Sequence, residues 1–401
     1  MVIRRAVSVF AMVLAAIGAP QCATAYAFGY VVADMRQSAA ISGGSACPQK
    51  TRFAIAAGGV NRQWSTSLGT NPQTILTSDQ TVAGRLNEIE GAILQSFAVW
   101  TGVSGSSLRP GALASLQRNP AQDACTSADG VNSICFNQSD PAFTTGVLAF
   151  TRVTAADTIG ETVGGQVSTF VGQILDADIL VRPGDSLSVF ATPAALPANP
   201  QAYDLASILT HELGHFFGLE HSDVWRAMMQ PFVPSPGTFA GVRPAATQPD
   251  APLADDDRTG LRVLYPDPND LMHIGTIAGK IVPANPLSLA AQPGVRGILS
   301  AQVVALDAAT GEVVAATRSG WSCTDPGPAV FDGSYAIERL AIGSSQSYET
   351  YAEPFTGIES SADIAASLAR ICRNSSTDTA WPAAFACSVP SVFTNFTVRI
   401  H

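Results

Sequence analysis

Residues 211–221 read HELGHFFGLEH, and this stretch constrains the chain more than any other. His211 and His215 are four apart, so on an α-helix their imidazoles leave the same face and can reach one metal ion. Glu212 lies beside them, placed to act on a water rather than to ligate the metal. Gly218 permits a sharp reversal, because a residue without Cβ takes positive φ cheaply, and the reversal can bring His221 back as a third ligand. Three nitrogen ligands with one open position describe a catalytic zinc site, whereas structural sites close the fourth position with protein. A fold for this chain must therefore supply a helix ending near Gly218 and a turn after it. H-E-x-x-H alone arises by chance in unrelated helices, but five fixed positions match by chance only about once in a million sequences of this composition.

The rest of the composition excludes partners. The chain has 401 residues, 22 Lys+Arg against 32 Asp+Glu and a formal net charge of −10. That length suggests two domains or three. No Lys/Arg cluster exists to displace counterions from phosphates, so nucleic-acid binding is not expected. With 46% hydrophobic and only 13% charged residues, a disordered chain is excluded as well.

The first 25 residues read as a secretory signal. Arg4 and Arg5 form the basic start, Ala6 to Gly18 the apolar core, and Ala23-Thr24-Ala25 a cleavage site, with Ala25-Tyr26-Ala27 an alternative. The apolar core is shorter than the roughly 20 residues needed to span a bilayer, and no later segment is long and apolar enough. The expected product is secreted, extracellular or periplasmic. Cleavage would remove two arginines and Cys22, leaving a charge of −10 − 2 = −12 and Cys47, Cys125, Cys135, Cys323, Cys372 and Cys387. An even cysteine count in an exported chain reads as disulfides; Cys125–Cys135 and Cys372–Cys387 are the natural local pairs among the alternatives open to six cysteines.

Along the chain, Lys50–Ala57 reads as a strand. Asp79–Val103 reads as a helix whose Leu86, Ile89, Ile93, Phe97 and Trp100 share one face. Val147–Val153 and Ile174–Val181 read as strands. A helix is expected to start at Asp204, as N-cap, and to run to the reversal at Gly218. Pro231–Pro252 is a loop, Leu253–Tyr265 a third helix with acids in its first turn, and Pro266–Asp270 a boundary. Ile358–Ile371 carries the last helical pattern.

These residues resemble the metzincin zinc endopeptidases, and among them the matrixin-like branch. The extended histidine motif is followed by Ser222, Ala227-Met228-Met229-Gln230-Pro231 is similar to the Met-turn of that branch, and Leu253 to Tyr265 is similar to its C-terminal helix. The resemblance covers about residues 48–266, with the specific matches at 211–265. It implies one catalytic zinc held by His211, His215 and His221, and Met229 beneath the ligands. Glu212 would be the general base and acid for a zinc-activated water, with substrate protein extended along the strand near Val147–Phe150. Calcium is common in the family, and Asp176, Asp178 and Asp185 offer carboxylates for it. The departures are specific. Only His273 and His401 remain outside the motif, so the structural zinc of the animal members is absent. There is no cysteine switch and no room for a helical prodomain, and Gln230 replaces the usual Met-turn tyrosine.

In the last third, Asp332 to Gly343 with Tyr348 resembles the signature of transthyretin-like, carboxypeptidase-regulatory-type β-sandwiches, preceded by a hairpin of Val303–Leu306 and Val313–Thr317 turning at Gly311. The expectation is therefore an α+β chain. Residues 1–25 are a signal and 26–47 a short lead. Residues 48–266 form a metzincin-type catalytic domain with a twisted mixed sheet and three helices, 267–273 a linker, and 274–401 an all-β sandwich. The expected protein is a monomeric secreted zinc endopeptidase acting on protein or peptide. The rival is a secreted binding or adhesion protein that keeps a vestigial zinc fold.

Overall fold

The computed structural model describes residues 62–65, 84–108, 125–136, 140–143, 146–182, 189–222, 224, 227–233, 236, 252–270, 272–284, 296–298, 301–320, 332–343 and 346–353, and the backbone of a few short strands outside these ranges. The expected strand at Lys50–Ala57, the expected helix at Ile358–Ile371 and the pair Cys372–Cys387 lie outside the described residues.

Three helices carry the middle of the chain: α1 (Leu86–Thr101), α2 (Leu205–Phe216) and α3 (Asp255–Leu264). On α1, Ile89, Ile93, Phe97 and Trp100 are all buried, as their three- and four-residue spacing requires. The mixed sheet is built from β1 (Gln73–Leu76), β2 (Leu116–Asn119), β3 (Asn132–Cys135), β4 (Ala149–Ala155) and β5 (Ile174–Val181). Its order is β2-β1-β3-β5-β4, with Val7–Val9 running antiparallel outside β4. The first four are parallel neighbours and β4 is antiparallel, Phe150 facing Leu180 and Arg152 facing Asp178. Every residue of β5 is buried, as expected for a strand with both faces covered.

One face of the sheet receives α2 and then α1. On the opposite face the disulfide between Cys125 and Cys135, the last residue of β3, packs with Val147, Phe150 and Leu180, and Ala142 and Phe143 lie against them. Arg152 pairs with Asp140 there and lies over the Phe150 ring. The last described part holds β6 (Ile274–Lys280) paired with β9 (Ser334–Ala341), and β7 (Gln302–Asp307) between β8 (Val313–Arg318) and β10 (Tyr348–Glu353). The turn between β7 and β8 takes Gly311 at φ +71, the expected position. Val303, Val314, Ile337 and Leu340 join the same buried cluster as Leu261 and Leu264 of α3, and Arg262 Nε donates to Ser104 O at 2.9 Å. The helical and the C-terminal parts thus share one core at α3.

On the disulfide side, β5 buries Asp176 and Asp178 completely. Asp176 accepts the amides of Ala128 and Gly130, both at 2.9 Å. Asp178 Oδ1 accepts Ser133 N at 3.1 Å, and its Oδ2 has no hydrogen-bond partner among the described residues. Burial, and then the charge of Asp176, push the Asp178 carboxyl far above the usual range; burial raises Asp176 as well. The proton belongs on Asp178, whose second oxygen no amide engages. A carboxyl raised in the folded state contributes stability that is fully present below the unfolded value near ~4 and is lost as pH rises through the folded value. Asp178→Asn, which imitates the neutral acid, should therefore resist urea better than the wild type at pH 8, with the gap narrowing at pH 5. Equal urea midpoints at pH 8 would overturn the assignment.

Candidate metal centre

Helix α2 starts where the sequence places its cap. Asp204 is extended (φ −72, ψ 113), and its side chain accepts Ser207 N at 2.9 Å and Ser207 Oγ at 2.7 Å. All twelve residues of α2 are buried, including His211, Glu212 and His215. Burying such a helix is costly unless most of its polar groups find partners. Two carbonyls at its C-terminal end are capped by side chains from elsewhere: Phe216 O by Trp64 Nε1 at 2.8 Å, and Phe217 O by the Tyr265 hydroxyl at 2.7 Å. Trp100 Nε1 of α1 donates to Thr210 O at 2.8 Å.

The chain then reverses at Gly218, at φ +99. The reversal returns His221, and it also turns Leu219 O back onto His215 Nδ1 at 2.9 Å. His211 Nδ1 meets Met228 O at 2.7 Å. A carbonyl can only accept, so both rings carry their proton on Nδ1 and keep the Nε2 lone pair for a metal. Burial holds His211 down at about 4 and His215 well below its usual range, so both imidazoles are neutral at pH 7, the form that ligates. One ligand atom from each of His211, His215 and His221 lies within 4.8 Å of the others. The donor set of three imidazoles suits zinc. It is the only such cluster of three or more His, Cys, Asp or Glu among the described residues.

The turn beneath the ligands is fixed by α3. Asp257 accepts Met228 N at 2.7 Å, Met229 N at 3.1 Å and Ala254 N at 2.8 Å. Asp256 accepts the Ser222 hydroxyl at 2.7 Å. The acids read from the sequence as dipole partners of the helix are therefore also the struts of the turn that orients His211. Met229 sits below α2 so closely that a Cβ on Gly214 would lie 2.0 Å from its Sδ.

Glu212 lies between His211 and His215 in sequence and is buried with them. Burial pushes its carboxyl up to about 8, and the Thr151 hydroxyl acts in the opposite direction. A dication among the three imidazoles would favour the charged form. Oε2 accepts Thr151 Oγ1 at 2.6 Å, and Oε1 has no hydrogen-bond partner among the described residues.

Residues 125–266 match the family model for matrixin. The match supports a metzincin-like zinc metalloendopeptidase, and within it the three histidines stand placed for a metal. It begins well after the start of the resemblance read at 48–266 and ends one residue past Tyr265. The comparison with curated proteins gives no match. The matrixin segment contains every expected site residue, and the structure brings His211, Glu212, His215 and His221 together. His273 is exposed and pairs with Asp270 at 2.8 Å, while His401 and Asp185 lie outside the described residues. Of the carboxylates considered for calcium, Asp176 is engaged by the backbone amides of Ala128 and Gly130. Sequence reasoning passes over Thr151, which belongs to no motif. Its one signal is a hydroxyl in the inward row Ala149, Thr151, Val153, Ala155 of a buried strand.

Proposed function

We propose that this protein is an exported zinc endopeptidase that cleaves protein substrates, with Glu212 as general base and then general acid. The observation that carries the reading is the convergence of three imidazoles, two of them from one helix turn, beside the buried carboxyl of Glu212 on that same turn. Zinc, held by His211, His215 and His221, would polarise the scissile carbonyl and lower the pKa of a water far below its bulk value, toward ~7. Glu212 takes the proton from the attacking water at Oε1 and delivers it to the leaving amine. The substrate lies extended along the outer edge of β4, main chain to main chain. Val7–Val9 pairs with Arg152–Thr154 on that edge, so removal of residues 1–25 would free it. Residues 274–401 are read as an accessory β-sandwich following the peptidase unit, and the mature protein as a monomer.

Metal removal tests the reading. The purified protein should hold one zinc and cleave casein. A chelator should abolish cleavage and lower the unfolding temperature by several degrees, since saturating ligand at ~1,000 Kd contributes about 4 kcal/mol. Zinc alone should restore both. Zinc binding with no cleavage of any protein would favour the binding-protein reading instead.

A further inference from the structure

We propose that Thr151 is a positioning residue for Glu212, anchoring one end of its carboxylate so that the other is presented for proton transfer. The proposal rests on the peptidase reading above. Strand β4 alternates, with Ala149, Val153 and Ala155 joining the core beneath α2 and Phe150 facing the disulfide side. Thr151 holds the inward position opposite Glu212 and is wholly buried. A hydroxyl there costs desolvation unless it is used.

Two acceptors lie within its reach. Thr151 Oγ1 lies 2.6 Å from Glu212 Oε2 and 3.0 Å from Glu212 O. One hydroxyl proton serves one acceptor at a time, and the shorter approach is to the carboxylate. The helix carbonyl already has the amide four residues on as its ordinary donor. The carboxylate is the acceptor that would otherwise swing about its terminal bond. Fixing Oε2 selects one rotamer and leaves Oε1, which has no other partner among the described residues, as the end that works. Side-chain orientation of this kind raises turnover without adding a contact to substrate.

The test compares Thr151→Val, which keeps the shape and removes the hydroxyl, with Thr151→Ser, which keeps the hydroxyl. Zinc affinity, unfolding temperature, kcat and KM are read for each beside the wild type. The Val variant should lose about 10- to 100-fold in kcat, the size of one hydrogen bond to a charged group. Its KM and zinc affinity should stay at wild-type values, and Ser should restore most of kcat. Should Val fail to fold, Thr151→Ala repeats the comparison. Undiminished kcat in the Val variant, equal losses in Val and Ser, or a loss that tracks zinc affinity overturns the proposal alone. A zinc-loaded wild type that cleaves nothing overturns the peptidase reading, and this proposal with it.

Discussion

Glu212→Gln should bind zinc like the wild type and cleave casein about 10²- to 10⁴-fold more slowly, the range that general acid–base catalysis contributes. Gln is isosteric with Glu, and its amide oxygen can still accept the Thr151 hydroxyl that now sits 2.6 Å from Oε2. The site around it is completely buried, so a shape change would be felt in the fold; an isosteric exchange is not. The ligands do not depend on Glu212 either, because Met228 O and Leu219 O orient His211 and His215. What disappears is a group able to take a proton at Oε1. Zinc stoichiometry and casein turnover on the same preparation separate the two effects. A Gln variant with wild-type turnover would refute Glu212 as base, whereas loss of zinc would show that the carboxylate maintains the site.

Much of this centre was legible because it is local. The motif places three histidines and a glutamate within eleven residues, and helix periodicity with one glycine reversal is enough to converge them. The cap at Asp204, the buried face of α1, the strand Ile174–Val181 and the Cys125–Cys135 bridge follow from equally local rules. What the sequence withholds is long-range. Thr151 meets Glu212 across 61 residues, and Tyr265 caps Phe217 across 48. Asp257 holds Met229 from 28 residues away. Each is a common residue type in an unremarkable position, and only the stacking of α2 between the sheet and α1 gives it a partner. Asp176 and Asp178 show the same limit from the other side. As alternate residues of an apolar strand they read equally well as surface carboxylates, yet they lie buried against backbone amides.

Gly218→Ala should cost the protein its zinc site as well as stability. Gly218 sits at φ +99, where an L side chain costs on the order of 1–3 kcal/mol. A Cβ added there would also lie 2.2 Å from Arg62 O, and this neighbour is backbone, which cannot swing aside as a side-chain tip can. Relief requires the reversal itself to move. The residues that follow are Leu219, whose carbonyl orients His215, and His221, so movement is passed directly to two of the three histidines placed for a metal. The expected destabilisation exceeds ~3 kcal/mol, and zinc should fall below one per chain. Gly91 supplies the control. It is exposed on α1 with nothing within 4 Å of an added Cβ, so Gly91→Ala should stabilise the protein by roughly 0.5–1 kcal/mol through helix propensity. Urea midpoints and zinc content for both variants decide the matter. A Gly218→Ala protein that keeps full zinc and the wild-type midpoint would show that the reversal tolerates a side chain, and that the motif's glycine is not what converges its histidines.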